Sequence, residues 1–498
     1  MLVCELACFF VVSWQPNTIN SLLCVSSTAM QYSVCNSTMK GWPVSPLFPC
    51  VLLFLTFLFA SSVAEPVAMR ADLTHVDSGR GFTKHELLSR MAARSKARMA
   101  TLRSSGSAPA VTVPVARGGL DVGFSEYLVH LGVGTPRPQR VALTLDTGSD
   151  LVWTQCACAA CFDQPFPVLR ASASSTFRRV PCSDPLCGHA VYLPVSGCAA
   201  RDRSCLYAYG YGDNSVTTGK VVEDTFTFNA LGGKKHAAVA VPNLRFGCGM
   251  LNVGHFKSNE SGIAGFGRGP LSLPSQLKVG RFSYCFTAII ESRTSPVFLG
   301  GGPDNLEAHA TGPIQSTPFA PGPAGAPVGS SPFYYLSLRG VTVGKTRLPF
   351  NASAFALKGD GSGGTIIDSG TAITTFPQAV FQSLREAFVG QVPLPVANGS
   401  TDADGRLCFS LPAMKKAPAV PKLILHLEGA DWDLPRDNYV LDNDDDGTGA
   451  GRELCVVISS AGKSDQTTIG NFQQQNTHIV YDLESNKMVF VPARCDKL

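Results

Sequence analysis

The stretches "LTLDTGSD" (143–150) and "TIIDSGTA" (365–372) are two renderings of one short phrase. Each is an apolar, β-prone run that stops on an aspartate, followed by a small hydroxyl residue and a glycine. The aspartates, Asp146 and Asp368, lie 222 residues apart. A single D-[ST]-G is most often an ordinary turn in which the aspartate bonds nearby backbone. Two copies, each closing an apolar strand, ask for a common reason. A charged aspartate at the end of a buried strand is costly unless it is hydrogen-bonded or shares a proton. Two such groups facing each other meet that condition jointly, because one proton serves both and the pair titrates as a unit. Thr147 and Ser369 place hydroxyls beside them, and Gly148 and Gly370 permit a tight turn whose N–H groups can point at the carboxylates.

The repeat extends beyond the aspartates. "GIAGFG" (262–267) follows the first copy and "TTIGNF" (467–472) follows the second, with Gly265 and Gly470 standing 119 and 102 residues after their aspartates. Glycine lets another backbone approach closely, so each is read as a strand crossing the loop that presents its aspartate. Outward from these anchors the pattern is period two: "EYLVHLGVG" (126–134), "RVALTLDTG" (140–148), "VVEDTFTF" (221–228), "FYYLSLRGVTVG" (333–344) and "NKMVFVP" (486–492). Helical spacing is scarce, with "QAVFQSLREAFVG" (378–390) the clearest case in the main body. "PFAPGPAGAPVGSSP" (318–332) reads as a linker or surface loop between two halves. The fold class is mostly β, with an internal duplication.

The 498 residues allow two or three domains, and 45% apolar against 16% charged residues indicate a largely globular chain. The net charge of +4 is a local excess. Residues 65–117 hold nine Lys/Arg and four Asp/Glu, leaving residues 118–498 near −1. No basic stripe interleaved with aromatics is present, which argues against a nucleic-acid surface. "GFGRGP" (265–270) lacks the Lys-Ser/Thr of a P-loop, and the nine histidines form no Ser-His-Asp or Cys-His arrangement. No cofactor is expected.

"CVLLFLTFLFASSVAEP" (50–66) carries about ten apolar residues, short of the roughly 20 a membrane span needs. With Lys40 upstream and small Ser62 and Ala64 at its end, it reads as a secretory leader, 39–64, with 1–38 an upstream extension that this leader does not require. Twelve cysteines follow Cys50, seven of them in residues 156–205. An even count in an exported chain reads as disulfides. The C-x-C-x2-C run from Cys156 to Cys161 lacks a matching ligand pair, so no metal is expected. Asn259, Asn351 and Asn398 sit in N-x-S sequons, possible glycan sites. "KHELLSRMAARSKARMATLR" (84–103) has helical spacing of Leu87, Leu88, Met91 and Met99 among arginines, and then gives way to the flexible, cuttable "SSGSAPA".

At the two D-[ST]-G phrases the sequence closely resembles the pepsin-like aspartic proteases, and more narrowly their plant nepenthesin-like branch, over about residues 120–496. The resemblance implies a bilobal fold of two pseudo-symmetric β-rich lobes, 115–315 and 316–498, with a cleft between them and a basic propeptide at 65–114. It makes Asp146 and Asp368 the catalytic pair, with Ser149 and Thr371 supporting them alongside Thr147, Gly148, Ser369 and Gly370. "YAYGYGDNSVTTG" (207–219) resembles the flap hairpin, with Tyr211 and Gly212 facing substrate and Trp153 bonding the tyrosine. The cysteine-rich insertion at 156–205 points to the nepenthesin-like branch. By resemblance the bridges are Cys161–Cys248, Cys182–Cys205, Cys187–Cys198, Cys285–Cys495 and Cys408–Cys455, leaving Cys156–Cys158. This last pair departs from the family pattern, because one residue separates the two cysteines where the family has two.

The function this implies is acid endopeptidase action. One carboxylate serves as base on a water while the partner acid donates to the peptide carbonyl, which is the known behaviour of paired carboxylates in aspartic proteases. Substrates are expected as extended strands in the cleft. The chain is expected to be a monomer made as a zymogen, its own basic segment lying across the acidic cleft. No nucleic-acid partner or membrane anchor is expected, and the address is extracellular or vacuolar rather than plastid. The alternative is a catalytically silent binding protein or glycanase inhibitor on the same scaffold.

Overall fold

The computed structural model describes residues 7–9, 22–25, 33–35 and most of the chain from 68 onward. Residues 103–125, 190–196, 212–214, 231–237, 257–258, 291–292, 302–305, 324–330, 398–406, 413–416 and 444–451 lie outside the described set. So do the segment read as a leader, 39–64, and Gly212 and Asn398. The chain divides into two units, Met1–Glu65 and Pro66–Leu498. In the first, the short strands Ala7–Phe9, Leu22–Val25 and Ser33–Cys35 form an antiparallel sheet. No helix among the described residues is long and apolar enough to cross a membrane.

The second unit is mostly β, and its two halves are joined by a six-stranded antiparallel sheet. In order, the strands are Met69–His75, Ser295–Leu299, Arg281–Cys285, Thr477–Asp482, Lys487–Pro492 and Gln315–Ala320. The alternating apolar residues read in these segments supply its buried face: Leu73, Val297, Phe282, Tyr284, Ile479, Tyr481 and Phe490 are all fully buried. The strand Met69–His75 comes from the basic leading segment and carries the pairing on to Tyr127–Val133, which opens the first lobe. The stretch read as a linker from 318 is partly sheet, since Pro318 and Phe319 belong to the strand Gln315–Ala320 and Phe319 is buried against Tyr334 and Tyr481.

Each aspartate closes a strand that runs parallel to the apolar-glycine segment downstream. Gln139–Asp146 lies beside Gly262–Gly265, with Gly265 paired to Asp146. Thr365–Ile367 lies beside Thr467–Ile469, with Ile469 paired to Ile367. A parallel neighbour covered on both faces needs continuous apolar sequence, and the fully buried runs "TII" before Asp368 and "GIAG" fit that demand.

The leading segment also forms the helix Lys84–Leu102. It starts in a capping box: the Thr83 N–H donates to Glu86 Oε2 at 2.8 Å and the Glu86 N–H donates to Thr83 Oγ1 at 3.2 Å. Leu87, Leu88 and Met91 fall on one face and are buried against Ile289, Ala372, Ile373, Leu441, Val457 and Phe472. The second helix read from sequence is Gln378–Val389, which buries Val380, Phe381, Leu384 and Phe388 at the expected spacing.

All twelve cysteines after Cys50 are paired, and two pairs, Cys285–Cys495 and Cys408–Cys455, are those the resemblance implies. The other four differ. Cys156 joins Cys248, and Cys158 joins Cys161. The strand Trp153–Ala160 runs parallel to Ala238–Val253 with Thr154 opposite Cys248 and Ala160 opposite Leu251, so Cys161 lies beyond reach of Cys248 while Cys156 lies alongside it. Cys158 is then free to close on Cys161 across two residues, and the pair Cys156–Cys158 does not form. Cys182–Cys198 and Cys187–Cys205 replace Cys182–Cys205 and Cys187–Cys198. Burial sorts them, because Cys187 and Cys205 lie in the lobe's apolar cluster while Cys182 and Cys198 stay nearer the surface.

Candidate active site

The two aspartate turns meet at the centre of the second unit, where Asp146 and Asp368 are both almost fully buried. They are held by a reciprocal exchange. The Thr147 N–H donates to Ser369 Oγ at 3.0 Å and the Ser369 N–H donates to Thr147 Oγ1 at 2.9 Å. Each hydroxyl passes its own proton to a strand of the opposite lobe: Thr147 Oγ1 to Ile367 O at 3.4 Å and Ser369 Oγ to Leu145 O at 2.9 Å. Fixing both turns against each other leaves the two carboxyls little freedom to separate.

Each carboxyl then receives the same two local donors. The Gly148 N–H and Ser149 Oγ donate to Asp146 at 3.0 and 2.5 Å. The Gly370 N–H and Thr371 Oγ1 donate to Asp368 at 2.9 and 2.6 Å. Glycine is required at both turns because the lobes cross so closely: a Cβ on Gly370 would stand 2.4 Å from Asp146 Oδ1, and one on Gly148 would stand 2.8 Å from Asp368 Oδ1. Burial, with Asp146 beside it, holds the Asp368 carboxyl above its ordinary value against the opposing pull of Arg98, Thr371 and Gly370.

Arg98, from the leading helix, sits between them. Its Nη2 donates to Asp146 Oδ1 at 2.8 Å and to Asp368 Oδ2 at 3.2 Å, with Nε at 3.3 Å from the latter oxygen. One nitrogen atom is thus within hydrogen-bond reach of both carboxyls. Arg98 stands four residues past Arg94 and eight past Arg90, and all three anchor the helix. Arg90 Nε pairs with Asp77 Oδ1 at 3.0 Å. Arg94, almost fully buried, bridges Asp77 Oδ2 at 2.8 Å and Glu126. His75 Nε2 lies 3.1 Å from Glu126 Oε2. Ser95 Oγ accepts the Ile373 N–H at 2.7 Å, just beyond the second turn. The arginine spacing of four was the available sequence signal for this face. Nothing in the sequence pairs Glu126 with Arg94.

Tyr211 ends the hairpin formed by Cys205–Gly210 and Val216–Ala230, where its N–H donates to Ser215 O at 2.8 Å. Trp153 Nε1 donates to Tyr211 Oη at 2.6 Å. The structure thus brings Trp153 and Tyr211 together at the end of that hairpin. Asn259 and Asn351 are exposed, and Asn351 Oδ1 accepts from the Ser353 N–H at 3.1 Å. Among the described residues, the one cluster with metal-ligand spacing is Cys408, Glu453 and Cys455, but its two cysteines are bonded to each other and offer no thiolate.

The chain is 39% identical to aspartic proteinase nepenthesin-1 of Nepenthes gracilis, covering 87% of this chain and 91% of that one. It belongs to the pepsin-like aspartic proteases, in their nepenthesin-like branch. Nepenthesin-2 of the same plant is 36% identical over 86% and 90% of the two chains, and aspartyl protease family protein 2 of Arabidopsis thaliana is 37% identical over 76% and 72%. Two family models match, one described as xylanase inhibitor N-terminal over residues 127–301 and one as xylanase inhibitor C-terminal over 333–492. The fold is similar to the crystal structure of edgp, with a TM-score of 0.61 at 18% identity over 87% and 98% of the chains. It is also similar to basic 7S globulin from soybean, with a TM-score of 0.58 at 17% identity over 86% and 97%.

Proposed function

We propose that the chain is the precursor of an acid endopeptidase in which Asp146 and Asp368 activate a water against a peptide carbonyl. The observation that carries this is the pair of carboxyls converging on one atom, each with its own matched hydroxyl and N–H donors. When Arg98 leaves, the point it occupies is open to a water that both groups can reach. One carboxylate then takes a proton from the water while the other, kept protonated by burial and by its neighbour, donates to the carbonyl. Acid pH supplies the singly protonated pair. Tyr211, held by Trp153, closes over a substrate bound as an extended strand.

In this reading residues 65–114 are a propeptide and the enzyme enters the secretory route, to the apoplast or vacuole. At neutral pH the Arg98 guanidinium is paired by the carboxylates. As pH falls they take up protons, the attraction weakens, and the helix releases. Purified precursor shifted from pH 7 to pH 4 is expected to shorten and then to cleave a denatured protein, with Asp146→Ala doing neither. A chain starting at Val115 lacks the strand Met69–His75 of the joining sheet and is expected to fold in much lower yield. If it matches the precursor in folding and in neutral-pH activity, the propeptide assignment fails.

The matching family models carry the name of xylanase inhibitors, and that favours a second reading, a binding protein on this scaffold. Both aspartates and all four supporting hydroxyls are in place, which favours the enzyme. Acid proteolysis that is absent in the parent and in Asp146→Ala alike would select the binder.

A further inference from the structure

The residue after the first supporting hydroxyl is Asp150, and nothing in the chemistry above uses it. It is only 2% exposed. Its Oδ1 accepts the Gly269 N–H at 2.7 Å, and its Oδ2 has no hydrogen-bond partner among the described residues. The loop it reaches, 265–270, is tied to the Asp146 turn by backbone bonds: Phe266 N–H to Asp146 O at 2.8 Å and Gly267 N–H to Ser149 O at 2.9 Å. Tyr334 completes the cage by donating its hydroxyl to Phe266 O at 3.0 Å.

We propose that Asp150 works as an uncharged carboxylic acid, a positioning residue that clamps the 265–270 loop beneath Asp146 without placing a second negative charge there. An ionised Asp150 would have one buried oxygen with no donor among the described residues, which is expensive at a position this buried. Among the described residues, the titratable and charged groups around it offer no counter-charge. Asp146 shares its turn, Tyr334 stands across the loop, and Arg268 turns away, over the Tyr334 ring and onto Asn486. Burial pushes its pKa up to about 7, with Asp146 adding to the rise and the Gly269 N–H opposing it. The counterpart in the second turn is Ala372, which carries no charge at all.

The proposal rests on the protease reading for its kinetic consequence, but not for its test by stability. For an acid with a raised folded pKa, stability is fully present below the ordinary value and is lost as pH rises toward the folded one. The full precursor, carrying Asp368→Asn to block processing, is melted from pH 4 to pH 7 with and without Asp150→Asn. The melting temperature of the Asp150→Asn chain is expected to gain on its parent steadily across that window. A gap that stays constant, or that narrows, overturns the proposal whether or not the protein is a protease. In the active background Asp150→Ala is expected to lower kcat about tenfold at acid pH, the rate equivalent of one buried donor left unpaired, with KM nearly unchanged. Asp150→Asn is expected to recover most of that loss, and to extend activity toward neutral pH. If Asp150→Asn is as poor as Asp150→Ala, the charge is needed and the proposal is wrong.

Discussion

The two aspartate turns share the local donors that each supplies to its own carboxyl, and they differ in the side chains behind. Thr147 and Ser369 exchange identical bonds, and each aspartate has one glycine N–H and one hydroxyl. Behind the first turn stands a buried acid, Asp150, bonded to Gly269. Behind the second stand neutral amides: Asn471 Nδ2 donates to Ser369 O at 3.0 Å, Gln474 Nε2 donates to Ile469 O at 2.9 Å, and Gln473 Oε1 accepts the Thr374 N–H at 2.8 Å. The leading helix also treats them unequally. It buries Leu87, Leu88 and Met91 against Ala372, Ile373 and their neighbours in the second lobe and reaches the first lobe's turn through Arg98. Duplication therefore preserved what the reacting groups require and left each lobe to find its own support.

The largest effect that could break this symmetry is at the aspartates. Asp146→Asn and Asp368→Asn are each expected to lower kcat/KM by at least ~10³-fold, near the upper range for general acid–base groups, and the double variant by little more, since the pair acts as a unit. A residual activity that is much higher in one single variant would mean that one lobe alone carries the chemistry.

Arg98→Gln comes next. Removing one partner of a buried ionic cluster costs about 3–5 kcal/mol, and the lower end applies because the two carboxyls can then share a proton. Arg98 lowers the Asp368 pKa, which burial has raised. Without it the folded pKa rises further, so more stability is lost as pH climbs above the ordinary value of 3.8, and none is lost below it. Melting the full chain at pH 7 and at pH 4 is expected to show a large deficit at the first and almost none at the second, and on the propeptide reading processing would begin at a higher pH. Equal deficits at both would place the role of Arg98 in packing rather than in charge.

A smaller effect sharpens the shared part of the comparison. Thr147→Val and Ser369→Ala each remove one hydroxyl of the exchange and are expected to cost about 1–3 kcal/mol, because each leaves a buried N–H unpaired. The coupling between them should be at least ~0.5 kcal/mol, as for groups in direct contact. Additive losses in chemical unfolding would show that the lobes are held together elsewhere.

The smallest expected effect concerns the two matched hydroxyls. The Thr371 hydroxyl lowers the Asp368 pKa, so Thr371→Val is expected to move the corresponding limb of the pH–rate profile upward by a fraction of a pH unit. Comparison with Ser149→Ala then tells which lobe's carboxyl that limb belongs to. No movement in either variant would remove both hydroxyls from the electrostatics of the pair.

Much of this was legible in the sequence for a stated reason. Strands announce themselves by alternation, so Tyr127–Val133, Gln139–Asp146 and Lys487–Pro492 lie within a residue or two of the segments read. The helix over Lys84–Leu102 was equally legible from its apolar spacing and its arginines. What failed depended on register. Of the four cysteine pairs that differ, two were set by which strand lay beside which and two by burial, and Ala160 opposite Leu251 is a fact that no spacing between cysteines encodes. The ionic link from Arg94 to Asp77 and Glu126 was invisible for the same reason, as was the unpartnered oxygen of Asp150.

By itself the sequence determined that two aspartates would end apolar strands, that hydroxyls and glycines would accompany them, and that a basic helix would precede them, because these are local demands of backbone geometry and charge. Only the tertiary structure decided that one guanidinium nitrogen stands within 2.8 and 3.2 Å of the two carboxyls, and that the leading strand completes the sheet joining the lobes. Those relations join residues from 48 to 270 positions apart, and they are fixed by the packing of whole lobes against one another rather than by any preference of the chain nearby.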